Sequence, residues 1–327
     1  MKDFGIYLRD VYRAKHTISH IIQETPLIQS KILSEITGSK VALKLENVQQ
    51  TGSFKLRGTA NKLLNLSNEQ RDHGVITVSS GNHGRAISFL AQQMGIPAVI
   101  GLGVNVPSNK VKAIQQYGAE TLIIGDNYEE TSLHADRLRE ERGLININPF
   151  DDPFILSGQG TISLEILAKN PKIDTILVPL SGGGLAGGVA LAAKTIHPHI
   201  HIIGVSMEGS PVMVRSIQAG KIIEMQEVFT LADGLLGGIG LDNRYSFEIC
   251  RNLLDETILV TEEEIGKAIV FLLEEHRLIV EGAGAVGVAA LLNSKGILGE
   301  NTAVILSGGN IKLPVLLDLI QKYGKDS

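Results

Sequence analysis

Three times in succession between Val75 and Arg142 the chain repeats one pattern: a short apolar run rich in β-branched residues, a turn, then a stretch of helical periodicity. Val75-Ile76-Thr77-Val78-Ser79 reads as a buried strand. It breaks at Ser80-Gly81-Asn82-His83-Gly84 and gives way to a helix to about Met94, where Gly95-Ile96-Pro97 stops it. Ala98 to Leu102 and Glu120 to Ile124 are the next strands, followed by helices from Ser108 to Tyr117 and from Tyr128 to Arg142. Strands separated by a helix-length crossover pair in parallel, so the alternation predicts an α/β architecture with largely parallel sheets. The βαβαβα block from Val75 to Pro149 reads as a compact subdomain.

A second series begins at Thr175-Ile176-Leu177-Val178-Pro179-Leu180, breaks at Ser181-Gly182-Gly183-Gly184, and resumes as a helix to Ile196 and a strand from Ile202 to Val205. Thr261-Glu262-Glu263-Glu264 has the form of a capping box opening a helix to about His276. Ala303 to Leu306 is a last strand, ending at Ser307-Gly308-Gly309-Asn310. At 327 residues the chain exceeds the usual single-domain size, so two domains are expected. The 36 glycines with no tryptophan imply many tight turns and cores of aliphatic side chains.

Charge and composition narrow the function classes. A net charge of −5 carries no basic excess, so a nucleic-acid partner is not expected. No apolar run approaches the roughly 20 residues that span a bilayer, and the first residues lack a signal-peptide core. The one cysteine, Cys250, cannot form an intrachain disulfide. A soluble cytoplasmic protein without a membrane partner is the expectation.

In parallel α/β sheets ligands sit outside the carboxyl ends of strands, so the turns around Lys55, Asn82, Gly183 and Gly308 are candidates to meet at one cleft, although Ser307-Gly308-Gly309-Asn310 taken alone reads as a plain turn. Lys55, between Phe54 and Leu56, reads either as a solvated helix lysine or as an amine whose pKa an apolar setting lowers until it can attack a carbonyl. Ser181-Gly182-Gly183-Gly184-Leu185 reads as a tight turn or as a cup of backbone N–H groups for a phosphate at a helix N-terminus. Gly182, Gly184 and Gly187 also satisfy G-x-G-x-x-G, with Glu208 where a ribose-binding acid would stand, so a dinucleotide enzyme stays open at this point. Ser80 to Gly84 is a capping turn or a carboxylate cradle. His83 has no second His or Cys at ligand spacing, which argues against a zinc site.

Taken in order, Lys44-Leu45-Glu46, Ser53-Phe54-Lys55-Leu56-Arg57-Gly58, Ser80-Gly81-Asn82-His83-Gly84, Ser157-Gly158-Gln159-Gly160-Thr161, Ser181-Gly182-Gly183-Gly184-Leu185 and Ser307-Gly308-Gly309-Asn310 resemble the fold-type-II pyridoxal-phosphate enzymes, specifically the serine/threonine dehydratase family. The likeness runs from about Thr25 to Asn310. Phe150-Asp151-Asp152-Pro153 and Gly240-Leu241-Asp242-Asn243-Arg244 look closest to the hydroxyectoine-utilisation dehydratases. The resemblance implies two open, twisted, mostly parallel sheets flanked by helices, with pyridoxal 5′-phosphate in the cleft between domains. A large cofactor-binding domain would comprise residues 1–70 and 151–327, and a small domain, 71–150, would close over the substrate. Lys55 would carry the cofactor as a Schiff base and act as the base at Cα. Phe54 would pack on the pyridine ring, Asn82 bond its 3′-oxygen, Gly182, Gly183, Gly184 and Leu185 hold the phosphate, and Ser307 face the ring nitrogen. Ser80, Asn82 and His83 would offer donors to the substrate carboxylate. The match of several motifs decides against the dinucleotide reading, which has no use for Lys55 or Asn82.

The activity implied is dehydration and deamination of an α-amino-β-hydroxy acid of the threonine, serine or 3-hydroxyaspartate type. A hydroxyl at Ser307 does not keep a pyridine nitrogen protonated as a carboxylate would, so elimination is favoured over transamination. Racemisation, with Ser80 as a second-face base, is the alternative on the same cofactor. It is weakened because Ser132 and Gly237 stand where serine racemases carry an arginine and a serine. No metal is expected, since Ser206 and Val212 take the places of the cation-binding acids of relatives, although Glu208 and Asp233 remain conceivable ligands. The family implies a homodimer, and the short stretch after Asn310 implies no regulatory domain of the biosynthetic type.

Overall fold

In the computed structural model, which describes residues 2–325, ten strands form two sheets. The larger contains β1 (Leu27–Gln29), β2 (Lys40–Leu45), β7 (Thr175–Pro179), β8 (His201–Met207), β9 (Glu256–Val260) and β10 (Asn301–Leu306), in the order β1-β2-β10-β7-β8-β9. The smaller contains β3 (Val75–Val78), β4 (Ala98–Leu102), β5 (Glu120–Ile123) and β6 (Ile145–Asn146), in the order β5-β4-β3-β6. Every pairing is parallel except that of β1 with β2. This is the α/β class that the alternation of runs predicts.

Side chains on a strand point alternately to its two faces, and in a buried parallel sheet both faces must be apolar. Ile176, Val178, Ala303 and Ile305 enter one core with Leu185 and Val189 of the helix Gly184–Ile196. Leu177, Val304 and Leu306 enter the opposite core with Val286 and Ala290 of the helix Gly282–Leu292. The small sheet divides in the same way. Val75, Ile100 and Leu102 pack under the helix Asn82–Met94, while Ile76 and Val99 pack with Ala135 of the helix Tyr128–Arg142.

Two further helices fix how the sheets meet. Leu56, Ala60 and Leu63 of the helix Lys55–Leu64 join the core of the small sheet. The helix Pro153–Lys169 runs between this helix and Gly184–Ile196. Their approach is backbone-close, because a Cβ on Gly158 would lie 2.6 Å from Gly58 Cα and one on Gly188 would lie 2.3 Å from Leu156 O. The Ser157–Thr161 segment is thus a small-residue crossing.

Several boundaries differ from the sequence reading. β6 is an additional strand, two residues long, held by its pairing to β3 rather than by any apolar run of its own. β10 starts at Asn301 because Asn301 and Thr302 pair with Lys40 and Val41. The helix from Ser108 ends at Gln115, two residues before Tyr117. The capping box at Thr261 forms as expected, with Glu264 N–H donating to Thr261 Oγ1 at 3.1 Å and Thr261 N–H donating to Glu264 Oε2 at 2.8 Å. Among the described residues no helix is long and apolar enough to cross a membrane.

Candidate active site

Both sheets reverse their winding at one point. The chain moves outward through β7, β8 and β9, then returns on the other side of β7 as β10; likewise β3, β4 and β5 move outward and β6 returns beside β3. The crevice at the carboxyl ends of strands flanking such a reversal is where an open α/β sheet seats a ligand. The turns leaving β7, β10, β3 and β6 all contribute to one cleft of about 650 Å³. The residues that the resemblance assigns to cofactor and substrate all line it: Phe54, Lys55, Ser80, Asn82, His83, Gly182, Gly183, Gly184, Leu185 and Ser307.

Lys55 is the first residue of its helix, and the loop before it is stitched to the end of β10. Phe54 N–H donates to Ser307 O at 3.0 Å, and Ser53 bridges Gly308. Behind Lys55, Arg57 is buried and its guanidinium is saturated: Nε and Nη2 each reach Glu46 at 2.8 Å, and Nη1 reaches Glu165 at 2.5 Å. Lys44 pairs with the same Glu165. A buried charge that loses its partner costs about 3–5 kcal/mol, so this network pins the start of the Lys55 helix. Lys55 itself has no carboxylate partner among the described residues. Its Nζ donates to Pro149 O at 3.0 Å and lies 5.2 Å from the Phe54 ring centroid. Burial pulls its pKa down to about 8. The lysine is therefore not the solvated surface residue of the first alternative but an amine near the point of losing its charge.

Opposite it, Gly183 takes φ +87°, a left-handed conformation that glycine adopts without strain, and starts the helix Gly184–Ile196. Its neighbours are held against Phe150, since a Cβ on Gly182 would lie 2.3 Å from Phe150 Cδ1. The first N–H groups of that helix have no intrahelical acceptor, and they open on the cleft. Ser246 braces the loop by donating to Gly182 O at 2.7 Å, and Asp151 accepts from Arg244, Tyr245 and Ser246 N–H. The segments Phe150–Pro153 and Gly240–Arg244 thus meet behind the glycine cradle. Ser307 is buried, and its hydroxyl donates to Ala283 O at 3.3 Å.

The turn after β3 opens the helix Asn82–Met94 with Asn82 and His83 in its first turn. Ser80 is half-buried on the cleft. His83 is fully buried; its Nε2 lies 3.0 Å from Ile147 O, a carbonyl that can only accept, so Nε2 carries the proton and Nδ1 is left an acceptor without a partner. Burial first, then Lys55, holds its pKa down to about 3, so the ring is neutral. The ring thus has no N–H left for a carboxylate, and a donor from His83 would have to be its backbone N–H.

The sequence reading missed Glu281, although an acid between Ile279-Val280 and Gly282-Ala283-Gly284 is an available signal. Glu281 lines the cleft and accepts from Asn82 Nδ2 at 2.6 Å and from Asn310 N–H at 3.1 Å. It likewise assigned Asn310 no role, yet Asn310 Nδ2 donates to Asn82 Oδ1 at 2.7 Å and its Oδ1 accepts from Arg85 Nη1 at 2.8 Å.

A lysine amine whose pKa burial lowers, a glycine turn packed too tightly for any Cβ at the start of a helix, a buried hydroxyl and an oriented amide suit a group with an aldehyde, a phosphate, a ring nitrogen and a ring oxygen. Those are the parts of pyridoxal phosphate, and fold and site together define a fold-type-II enzyme that uses it. The chain belongs to the family described as pyridoxal-phosphate dependent enzyme, which matches residues 18–308. The L-threonine ammonia-lyase of Geobacter sulfurreducens is 43% identical over 92% of this chain and 75% of its own. That of Thermotoga maritima is 40% identical over 97% of this chain and 79% of its own. The structure of maize serine racemase superposes with a TM-score of 0.92 at 36% identity, over 98% of each chain. The family match closes the dinucleotide reading. Glu208, its ribose-binding acid, stands exposed beyond β8.

Proposed function

We propose that this enzyme is an ammonia-lyase that dehydrates an α-amino-β-hydroxy acid and releases a 2-oxo acid and ammonia. The observation that carries the reading is Ser307: a neutral hydroxyl, not a carboxylate, stands at the end of β10 in the cleft that holds Lys55. Pyridoxal phosphate, when bound, withdraws electrons from the substrate Cα and acidifies its C–H bond. Lys55 would hold the cofactor through its amine, and its Nζ would be the base that takes the Cα proton. Pro149 O, already 3.0 Å from that atom, receives a hydrogen bond from the ammonium so formed. The N–H groups of Gly182, Gly183, Gly184 and Leu185 would hold the phosphate, and those at the start of Asn82–Met94, with Ser80, would take the substrate carboxylate. The Cα–H and Cβ–O bonds break, the proton lost from Cα balancing the hydroxide lost from Cβ so that one water leaves; the enamine tautomerises to the imine, which a second water hydrolyses to the 2-oxo acid and ammonia.

The ammonia-lyase names of two relatives support this chemistry. Serine racemisation has one observation in its favour, Ser80 lining the cleft with Lys55 in a fold shared with a serine racemase. Placement near the hydroxyectoine-utilisation dehydratases rests on Phe150–Pro153 and Gly240–Arg244, whose contact behind the cradle is a bracing role and does not read a substrate. The test is the holoenzyme with threonine, serine and 3-hydroxyaspartate in both configurations, scored for 2-oxo acid, ammonia and inverted substrate. At least one should yield 2-oxo acid and ammonia in equal amounts, with turnover abolished by Lys55→Ala. Inverted substrate without 2-oxo acid from any of them would replace this reading with racemisation.

A further inference from the structure

The cleft contains a buried acid that the proposed reaction does not use. Glu281 is 7% exposed and bonded from two directions, by Asn82 Nδ2 at 2.6 Å and by Asn310 N–H at 3.1 Å. Asn310 in turn donates through Nδ2 to Asn82 Oδ1 at 2.7 Å and to Thr51 O at 2.9 Å. Two glycines make room for this arrangement. A Cβ on Gly308 would lie 2.2 Å from Glu281 Oε1, and one on Gly52 would lie 2.5 Å from Asn310 Oδ1. An isolated Asn amide can flip and exchange its oxygen for its nitrogen. Here the flip is blocked, because Glu281 needs a donor where Nδ2 stands and Asn310 needs an acceptor where Oδ1 stands. Of the two N–H bonds on Asn82 Nδ2, one goes to Glu281 and the other is left for the cleft.

We infer that Glu281 is a positioning residue: with Asn310 it fixes the amide of Asn82 so that one N–H faces the bound cofactor, and its ionisation sets how firmly that amide is held. This role rests on the cofactor occupying the cleft. The groups facing Glu281 come from four elements: Asp233 from the turn Asp233–Leu235, Lys110 from the helix Ser108–Gln115, Asn82 from its helix, and the Asn310 amide after β10. Burial, with Asp233 adding to it, raises the Glu281 carboxyl to about 7, against the pull of Asn82, Asn310 and Lys110. It therefore changes charge near neutrality. As pH falls through that range Glu281 gains a proton, its acceptance from Asn82 weakens, and the amide loosens.

The test uses Glu281→Gln and Asn310→Ala, each checked for native far-UV circular dichroism. Two quantities are read: the cofactor dissociation constant, and the visible band of the bound cofactor as a function of pH. The wild type should show a change in that band centred near pH 7, where Glu281 titrates. Glu281→Gln should lose that change and weaken cofactor binding by about tenfold or more, the range set by a lost charge-assisted hydrogen bond. Asn310→Ala should weaken binding while the titration persists. If Glu281→Gln binds within about twofold of wild type, or titrates like it, Glu281 does not position Asn82. Should Glu281→Gln fail to fold, Asn310→Ala decides: binding within about twofold of wild type overturns the shared clamp on Asn82. A wild-type chain that takes up no cofactor would instead sink the cofactor reading beneath it.

Discussion

Lys55 works through its surroundings. A free lysine is almost wholly charged at neutral pH, whereas one pulled down to about 8 is roughly one-tenth neutral at pH 7. Since only the neutral amine attacks an aldehyde, covalent attachment of pyridoxal phosphate to the apoenzyme should accelerate as pH rises and level off above about 8. Stopped-flow absorbance from about pH 6 to about pH 10 measures this. A rate still climbing towards about pH 10 would mean that the amine keeps a normal lysine pKa. At this same scale His83 stays neutral because it is buried beside Lys55, and its one proton, committed to Ile147 O, leaves Nδ1 as the acceptor.

At the scale of elements, the helix Pro153–Lys169 decides where the lysine stands relative to the glycine cradle, because it touches the helices that begin at both. Its glycines meet backbone, which cannot yield as a flexible side chain does. Gly158→Ala would place a Cβ 2.6 Å from Gly58 Cα and 2.8 Å from Arg57 O. Overpacking of this kind costs typically about 1–3 kcal/mol. The expected outcome is a lower Tm together with weaker cofactor binding, since separating the helices moves Lys55 away from the cradle; thermal melts and a cofactor titration check both. Unchanged binding in a destabilised variant would show that the crossing supports folding alone.

Across the whole molecule, the two sheets meet at the cleft and are joined at its rim by Lys110 of the small-sheet region and Asp233 of the large, 2.9 Å apart. Both side chains are partly exposed, so the pair is worth about 0–1 kcal/mol and salt screens it. Lys110→Ala should hence leave Tm nearly unchanged while raising KM by up to about fivefold, an effect that shrinks at high ionic strength. Steady-state kinetics at low and high salt measure it, and an unaltered KM at low salt would remove the pair from any part in holding the cleft closed.

β7 and β10 were legible because apolar side chains on both faces of a strand are a local pattern, and so was the cap at Thr261, whose two partners lie three residues apart. The turns at Asn82, Gly183 and Ser307 were legible for the same reason: a strand end followed by glycine or a capping residue is written in adjacent letters. By itself the sequence determined the α/β class and picked out the glycine turn and the lysine as candidates. Tertiary structure alone decided that Glu281 and Asn82, 199 residues apart, share a hydrogen bond. It alone also lowered the Lys55 pKa, which depends on burial, and formed β6, which exists only through its pairing to β3. Hydrogen bonds and desolvation act between whatever the fold brings within a few ångströms, and no local pattern along the chain encodes that distance.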